Sequence, residues 1–230
     1  MKLCAYFGNP WIGLFSTTNN EITLVPLDME EKDVTIFEER LKTTVLKTNL
    51  ADSNLIGLYS VMNSNGIILP NIAGENEIAL LKKSGLNVYV SSDPQNAHGN
   101  NIVANDKGGI ASIHLDRTEL NKIEDVLGIE LVVMKLAGYS AVGSACIATN
   151  KGFLAHYGVT EENISQLKNI FKVSGSKGTV NLGTGFVSVG VVANDKGYVA
   201  GEKTTAFELG RVEESLGFLE EEQNILQVKL

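Results

Sequence analysis

Apolar residues along the chain come in short runs, each closed by a polar cluster with the composition of a tight turn, and the alternation repeats. The run Ile102-Val103-Ala104 leads into Asn105-Asp106-Lys107-Gly108, and the same order returns as Val191-Val192-Ala193 followed by Asn194-Asp195-Lys196-Gly197. Looser copies are Tyr59-Ser60-Val61-Met62-Asn63-Ser64-Asn65-Gly66 and Cys146-Ile147-Ala148-Thr149-Asn150-Lys151-Gly152, with a degenerate one at Leu14-Phe15-Ser16-Thr17-Thr18-Asn19-Asn20. Aligning Asn20, Gly66, Gly108, Gly152 and Gly197 gives intervals of 46, 42, 44 and 45 residues, so five units fill the chain. At the aligned position a hairpin turn predicts positive φ, which glycine adopts without strain and asparagine tolerates. The Asn or Thr three residues earlier is placed to cap the turn through its side chain.

Each turn is followed by a second apolar strand, as in Ile67-Ile68-Leu69, Phe153-Leu154-Ala155 and Tyr198-Val199-Ala200. A helical stripe comes next. Asp116-Arg117-Thr118-Glu119 reads as a capping box before Leu120, Ile123 and Leu127, and Thr205-Ala206-Phe207-Glu208 as another before Leu209, Val212 and Leu216. A closing strand such as Val88-Tyr89-Val90 or Leu131-Val132-Val133 completes a ββαβ unit. The unit limits fall near 8–50, 51–94, 95–138, 139–177 and 178–219. Such units expose apolar faces that only neighbours can cover, which predicts a ring. The N-terminal strand, residues 2–7, is spaced to complete the fifth unit and so remove an open sheet edge. The competing closure uses Ile225 to Leu230; otherwise residues 220–230, opening with Glu220-Glu221-Glu222, form an acidic tail.

Composition narrows the function. Of 230 residues, 27 are acidic and 19 basic, a net charge of −8, which gives no basic footprint for phosphate backbones. A basic protein is the better-matched partner. The longest apolar stretch, Ile129 to Ala148, is interrupted by Glu130 and Lys135, so no membrane span is predicted. Cys4 and Cys146 have no metal-ligand spacing and fit a reducing, cytoplasmic setting. Neither a metal nor a cofactor is expected. Gly175-Ser176-Lys177-Gly178-Thr179 lacks the order of a phosphate-binding P-loop, and Gly183-Thr184-Gly185-Phe186-Val187-Ser188 puts serine where a dinucleotide fingerprint needs its third glycine.

The runs Gly99-Asn100-Asn101-Ile102-Val103-Ala104-Asn105-Asp106 and Gly178-Thr179-Val180-Asn181-Leu182-Gly183-Thr184, with the Val-Val-Ala-Asn-Asp echo, resemble the archaeal translation initiation factor 6 family over nearly the whole chain. The resemblance implies a pentein fold, a five-fold pseudosymmetric α/β propeller, in a monomer that is not an enzyme. It further implies binding to the large ribosomal subunit, mainly to a uL14-type ribosomal protein beside the sarcin-ricin loop, which blocks joining of the small subunit and bears on subunit maturation. Carried over by motif, the contact residues are Gly99 and Asn100 first, then Asn181 and Gly183. By pseudosymmetry Gly57 with Leu58 and Gly143 with Ser144 join them. Leu58 stands where eukaryotic members tend to carry Arg, which replaces a polar contact by an apolar one.

Penteins also include guanidine-modifying enzymes, amidinotransferases and deiminases, with a Cys nucleophile in the last unit. That chemistry needs a thiolate activated by a neighbouring cation or base. Here the thiols are Cys4 and Cys146, both in apolar strand patterns, and residues 157–230 contain neither Cys nor His.

Overall fold

A computed structural model describes residues 3–219. The chain opens with β1 (Leu3–Cys4). The first unit then runs α1 (Ile12–Phe15), β2 (Thr17–Thr18), β3 (Ile22–Pro26), α2 (Glu31–Leu41) and β4 (Thr44–Thr48). The second is α3 (Ile56–Tyr59), β5 (Val61–Met62), β6 (Ile67–Leu69), α4 (Glu75–Lys83) and β7 (Val88–Val90). The third is α5 (His98–Asn101), β8 (Ile102–Ala104), β9 (Gly109–Ala111), α6 (Arg117–Leu127) and β10 (Leu131–Val133). The fourth is α7 (Val142–Ala145), β11 (Cys146–Ala148), β12 (Gly152–His156), α8 (Glu161–Phe171) and β13 (Ser174–Gly178). The fifth has a 3-10 turn (Val187–Val189) in place of the short helix, then β14 (Val191–Asn194), β15 (Gly197–Gly201) and α9 (Ala206–Ser215).

Every unit forms one three-stranded sheet: an antiparallel hairpin, then a parallel strand beyond the helix. In the fifth sheet that third strand is β1, with Leu3 opposite Ala200 and Cys4 opposite Gly201. The alternative closing segment, Ile225 to Leu230, lies outside the described residues. The apolar clusters straddle units. One packs Val192 and Val199 of the fifth unit against Ile12, Phe15, Phe37 and Leu41 of the first, and another joins Leu24 and Leu50 to Ile67 and Leu81. No unit therefore owns a core of its own. Contacts between the short helices run α1 to α3 to α5 to α7, then through the 3-10 turn back to α1, in cyclic order.

The hairpin caps form a second set of inter-unit ties. Asn63, Asn105 and Asn194 each accept, through Oδ1, from the backbone N–H groups two and three residues on. Their Nδ2 groups donate outward, Asn63 to the carbonyls of Asn105 and Leu127, Asn105 to those of Thr149 and Phe171, Asn194 to those of Asn19 and Leu41. Thr149 caps its own turn with a hydroxyl and has no amide to pass on.

Three sequence-based expectations need correction. Asn19, not a residue further back, is the first unit's cap, accepting from Glu21 and Ile22 N–H, so Ile22 rather than Asn20 matches the turn glycines. Asn20 instead matches Asp195, to which it is hydrogen-bonded, and the cap intervals become 44, 42, 44 and 45 residues. Nor do the turn glycines have positive φ; among the glycines of the described residues that conformation belongs to Gly8, Gly85, Gly128, Gly138, Gly183 and Gly217. What the turn glycines supply is clearance. A Cβ on Gly108, Gly152 or Gly197 would come within 2.3, 2.1 and 2.1 Å of the carbonyl oxygens of Ile170, Ser215 and Arg40, at the ends of the neighbouring units' helices. The Asp116 N-cap accepts from Thr118 and Glu119 N–H, but Glu119 does not complete a capping box; its carboxylate serves another segment.

Candidate functional site

Chain direction sorts the molecule into two sides. Strands β3, β6, β9, β12 and β15 leave the hairpins and deliver the chain to the N-termini of the long helices; the parallel third strands then return to the same side. The short helices, the loops before them and the long-helix N-termini therefore share one side, with the hairpin tips opposite. The first turns of the long helices on this side carry Glu31 and Asp33, Glu75 and Glu77, Glu119, Glu161 and Glu162, and Glu208. Carboxylates there favour the positive helix ends, and Glu31 and Glu161 pair with Lys47 and Lys177. Basic last-turn residues such as Arg40, Lys82, Lys83 and Lys168 lie toward the other.

The short helices repeat one arrangement: a buried residue, apolar in every unit but the third, where it is His98, then Gly13, Gly57, Gly99, Gly143 or, in the fifth unit, Ser188. A Cβ on Gly57 would sit 2.0 Å from Gly13 O, on Gly99 1.9 Å from Gly57 O, on Gly143 2.3 Å from Gly99 O, and on Gly13 1.9 Å from Ser188 O. Gly57, Gly99 and Gly143 thus allow the five short segments to pack backbone on backbone around an axis. The residue after each is Leu14, Leu58, Asn100, Ser144 or Val189, of which Ser144 is buried and the others are half-buried.

Four of these five, Leu14, Asn100, Ser144 and Val189, line a groove of about 400 Å³ together with Trp11, Ala141, Thr184 and Phe186. Ser144 Oγ donates to Asn100 Oδ1 at 2.6 Å, which orients the half-buried Asn100 amide beside apolar walls. Leu58 holds the equivalent position on the second unit, half-buried. Few polar groups on a mostly apolar concavity is the usual make-up of a recognition pocket. Trp11, Leu14, Phe186 and Val189 are not singled out by the sequence, where each reads as one more core hydrophobe; their equivalence to Asn100 appears only after the register of the short helices is known.

The Asn181-Leu182-Gly183 loop lies on the same side but is built differently from a contact loop made of its amide. Asn181 is buried at φ 47°, donates Nδ2 to Pro10 O at 2.9 Å and accepts from Thr204 Oγ1 at 3.1 Å. Its side chain is spent on joining the fifth unit to the first. Gly183 is exposed at φ 102°, and its N–H donates to Glu208 Oε1 at 2.8 Å. The group this loop shows to solvent is Leu182, 70% exposed. Glu119 holds the segment at the end of β7 in the same way, accepting from Ser92 N–H and Oγ and from Tyr89 OH, and Glu77 accepts from Ala51 and Asp52 N–H.

Among the described residues neither thiol is an activated nucleophile. Burial, helped by the nearby Asp33 carboxylate, pushes the Cys4 thiol up to about 12, and burial pushes Cys146 up as well. Burial holds the His98 imidazole down at about 4 and lowers that of His156. Protonated thiols and neutral imidazoles lack the charge needed for attack on a guanidinium carbon. Fold and site together define a repeated ββαβ α/β protein with a mostly apolar groove on the side of its short helices. The eIF-6 family model matches residues 1–215, and the chain belongs to that family. It is 38% identical over 214 residues to translation initiation factor 6 of Staphylothermus marinus, covering 91% of this chain and 94% of that one. It is 39% identical over 227 residues to translation initiation factor 6 of Methanocaldococcus jannaschii, covering 95% and 99%. The Picrophilus torridus protein of the same name is 36% identical over 216 residues, covering 94% and 99%.

Proposed function

We propose that this chain acts in translation initiation as an anti-association factor, binding the large ribosomal subunit and sterically preventing the small subunit from joining it. The observation that carries the reading is the family match over residues 1–215, and the relatives' name, translation initiation factor 6, supports it. In this reading residues 1–219 form a single five-unit pentein domain, an α/β propeller, acting as a cytoplasmic monomer, with residues 220–230 as an acidic tail. The side bearing Asn100 and Ser144 docks mainly on a uL14-type ribosomal protein next to the sarcin-ricin loop. Gly57, Leu58, Gly99, Gly143, Asn181 and Gly183 belong to that docking side, as residues that shape it or border it. Its acidic helix ends complement a basic ribosomal protein, which favours encounter and orientation. A surface fixed by backbone-on-backbone packing loses little ordering entropy on binding. The same occupancy during subunit maturation would keep unfinished large subunits out of translation.

The test is a sucrose-gradient subunit-joining assay with purified subunits. Added protein should shift material from joined ribosomes to free subunits, and Asn100→Arg should lose both this effect and co-sedimentation with the large subunit. Wild-type protein that neither co-sediments nor changes the profile would overturn the reading.

A further inference from the structure

Beyond the groove, its wall continues into an aromatic shelf. Phe186 meets Tyr139 edge-on with centroids 5.0 Å apart and His156 at 5.6 Å; His156 in turn stacks on Tyr157 at 4.5 Å and an interplanar angle of 26°. The two tyrosines remain 44% and 57% exposed, while His156 beneath them is buried. The shelf is rigidly founded. Gly158 N–H donates to His156 Nδ1 at 2.9 Å, and a Cβ on Gly185 would come 2.3 Å from Nε2, so the imidazole is wedged on both edges. Past Tyr157, Gly158, Val159 and the Thr160 cap lead into α8, which begins with the exposed carboxylates Glu161 and Glu162; Lys177 reaches Glu161 at 3.0 Å.

We propose that the Tyr139–Tyr157 shelf is a docking site for an arginine-bearing segment of a basic protein, with the guanidinium over the Tyr157 ring and Glu162 as its counter-charge. An aromatic face attracts a cation, and a guanidinium stacks flat on it while its N–H groups reach a carboxylate. A nucleic acid base could stack on the same ring, but its phosphates would meet Glu161 and Glu162 and a protein of net charge −8. The proposal rests on the docking reading above and extends it, because Phe186 lines both the groove and the shelf. A partner chain entering the groove would lay a neighbouring basic side chain on Tyr157.

Fluorescence anisotropy with labelled hexa-arginine and a labelled uridine hexamer tests this on the full chain. Tyr157→Ala changes no charge, so nonspecific attraction to an acidic protein stays constant. It should weaken hexa-arginine binding about 2- to 5-fold, while Tyr157→Phe keeps the ring and stays near wild type. Glu162→Gln should weaken binding further and reduce its salt dependence. Equal affinity of wild type and Tyr157→Ala for hexa-arginine overturns the proposal. So does preferential binding of the uridine hexamer that is lost in Tyr157→Ala. Co-sedimentation of wild-type protein with large subunits, run alongside, separates the two readings: subunit binding with an indifferent Tyr157 sinks the shelf alone, and absent subunit binding sinks the docking reading.

Discussion

Asn194 donates its side-chain amide to the carbonyl of Asn19 at 3.0 Å, joining hairpins 175 residues apart in sequence. The same amide reaches Leu41 O at 2.9 Å, and Asn194 Oδ1 caps its own turn. One side chain therefore fixes a local turn and the seam between the fifth and first units. Truncation to alanine would leave two buried carbonyls without this donor. Asn194→Ala should lower unfolding stability by about 2–4 kcal/mol, measured by urea titration at pH 7. The complementary change fills the gap in the series: Thr149→Asn should supply the missing amide toward the fifth unit and raise stability by about 0.5–1.5 kcal/mol. A Thr149→Asn midpoint at or below wild type would count against the ladder.

Clearance, not backbone handedness, is the reason for glycine at the hairpins, and substitution separates the two. Asparagine tolerates positive φ but brings a Cβ. Gly108→Asn should therefore be as damaging as Gly108→Ala, each costing at least about 1–3 kcal/mol, because either places a carbon 2.3 Å from Ile170 O. Gly210 in α9 has nothing within 4 Å of its Cβ position. Gly210→Ala should stabilise by about 0.5–1 kcal/mol through helix propensity alone. Denaturant midpoints of the three variants decide the matter.

How far the sequence carries the fold is visible in these same residues. The caps are legible because an Asn and the two N–H groups it binds are within three positions of each other. The glycines are legible in place but not in purpose, since the carbonyl that forbids a Cβ comes from a helix in another unit. The first unit slipped by two residues because Ile22 stands where the others have glycine. Of the groove, Asn100 and Ser144 are legible through a family motif and the repeat. Trp11 and Phe186 are not, because residues so far apart converge only when the short helices meet around the axis.

His98 occupies the slot that Ile12, Ile56, Val142 and Val187 fill in the other units, and like them it is fully buried. Neither ring nitrogen has a hydrogen-bond partner among the described residues. Burial brings its pKa from 6.5 to about 4, although Asp93 and Glu119 pull the other way. A depressed histidine pKa means that the unfolded chain takes up the proton first. The neutral side chain's contribution is complete above about pH 6.5 and is lost as pH falls toward 4. Glu119 acts lower down. Burial opposes its charge, but bonds from Tyr89, Ser92 and Lys122 outweigh that and hold it at about 2, against an ordinary 4.5. Its contribution is present above 4.5 and is lost as pH falls toward 2. Stability against pH should decline in two windows. His98→Val should remove the upper one and stabilise the protein most near pH 4, and Glu119→Gln should flatten the lower one. A His98→Val curve parallel to wild type between pH 6.5 and 4 would refute the assignment.

Trp11 is the only tryptophan in the chain and lines the groove beside Asn100, so it reports on occupancy without disturbing it. Incorporation of 5-fluorotryptophan gives a single fluorine signal from this protein whatever the partner contains. Titration with an isolated uL14-type ribosomal protein should move that signal, because an apolar partner side chain entering the groove displaces water from the indole. Asn100→Arg, which puts a long cation into the groove and repels a basic partner, should leave the signal at its free position. Ser144→Ala is the more discriminating variant. It removes only the hydroxyl that orients the Asn100 amide at 2.6 Å and leaves the walls intact. It should weaken binding by about 0.5–1.5 kcal/mol, roughly 2- to 12-fold, as one hydrogen bond's worth of orientation is lost. A signal that shifts identically for wild type and Asn100→Arg would mean that the partner approaches elsewhere and the groove is not its seat.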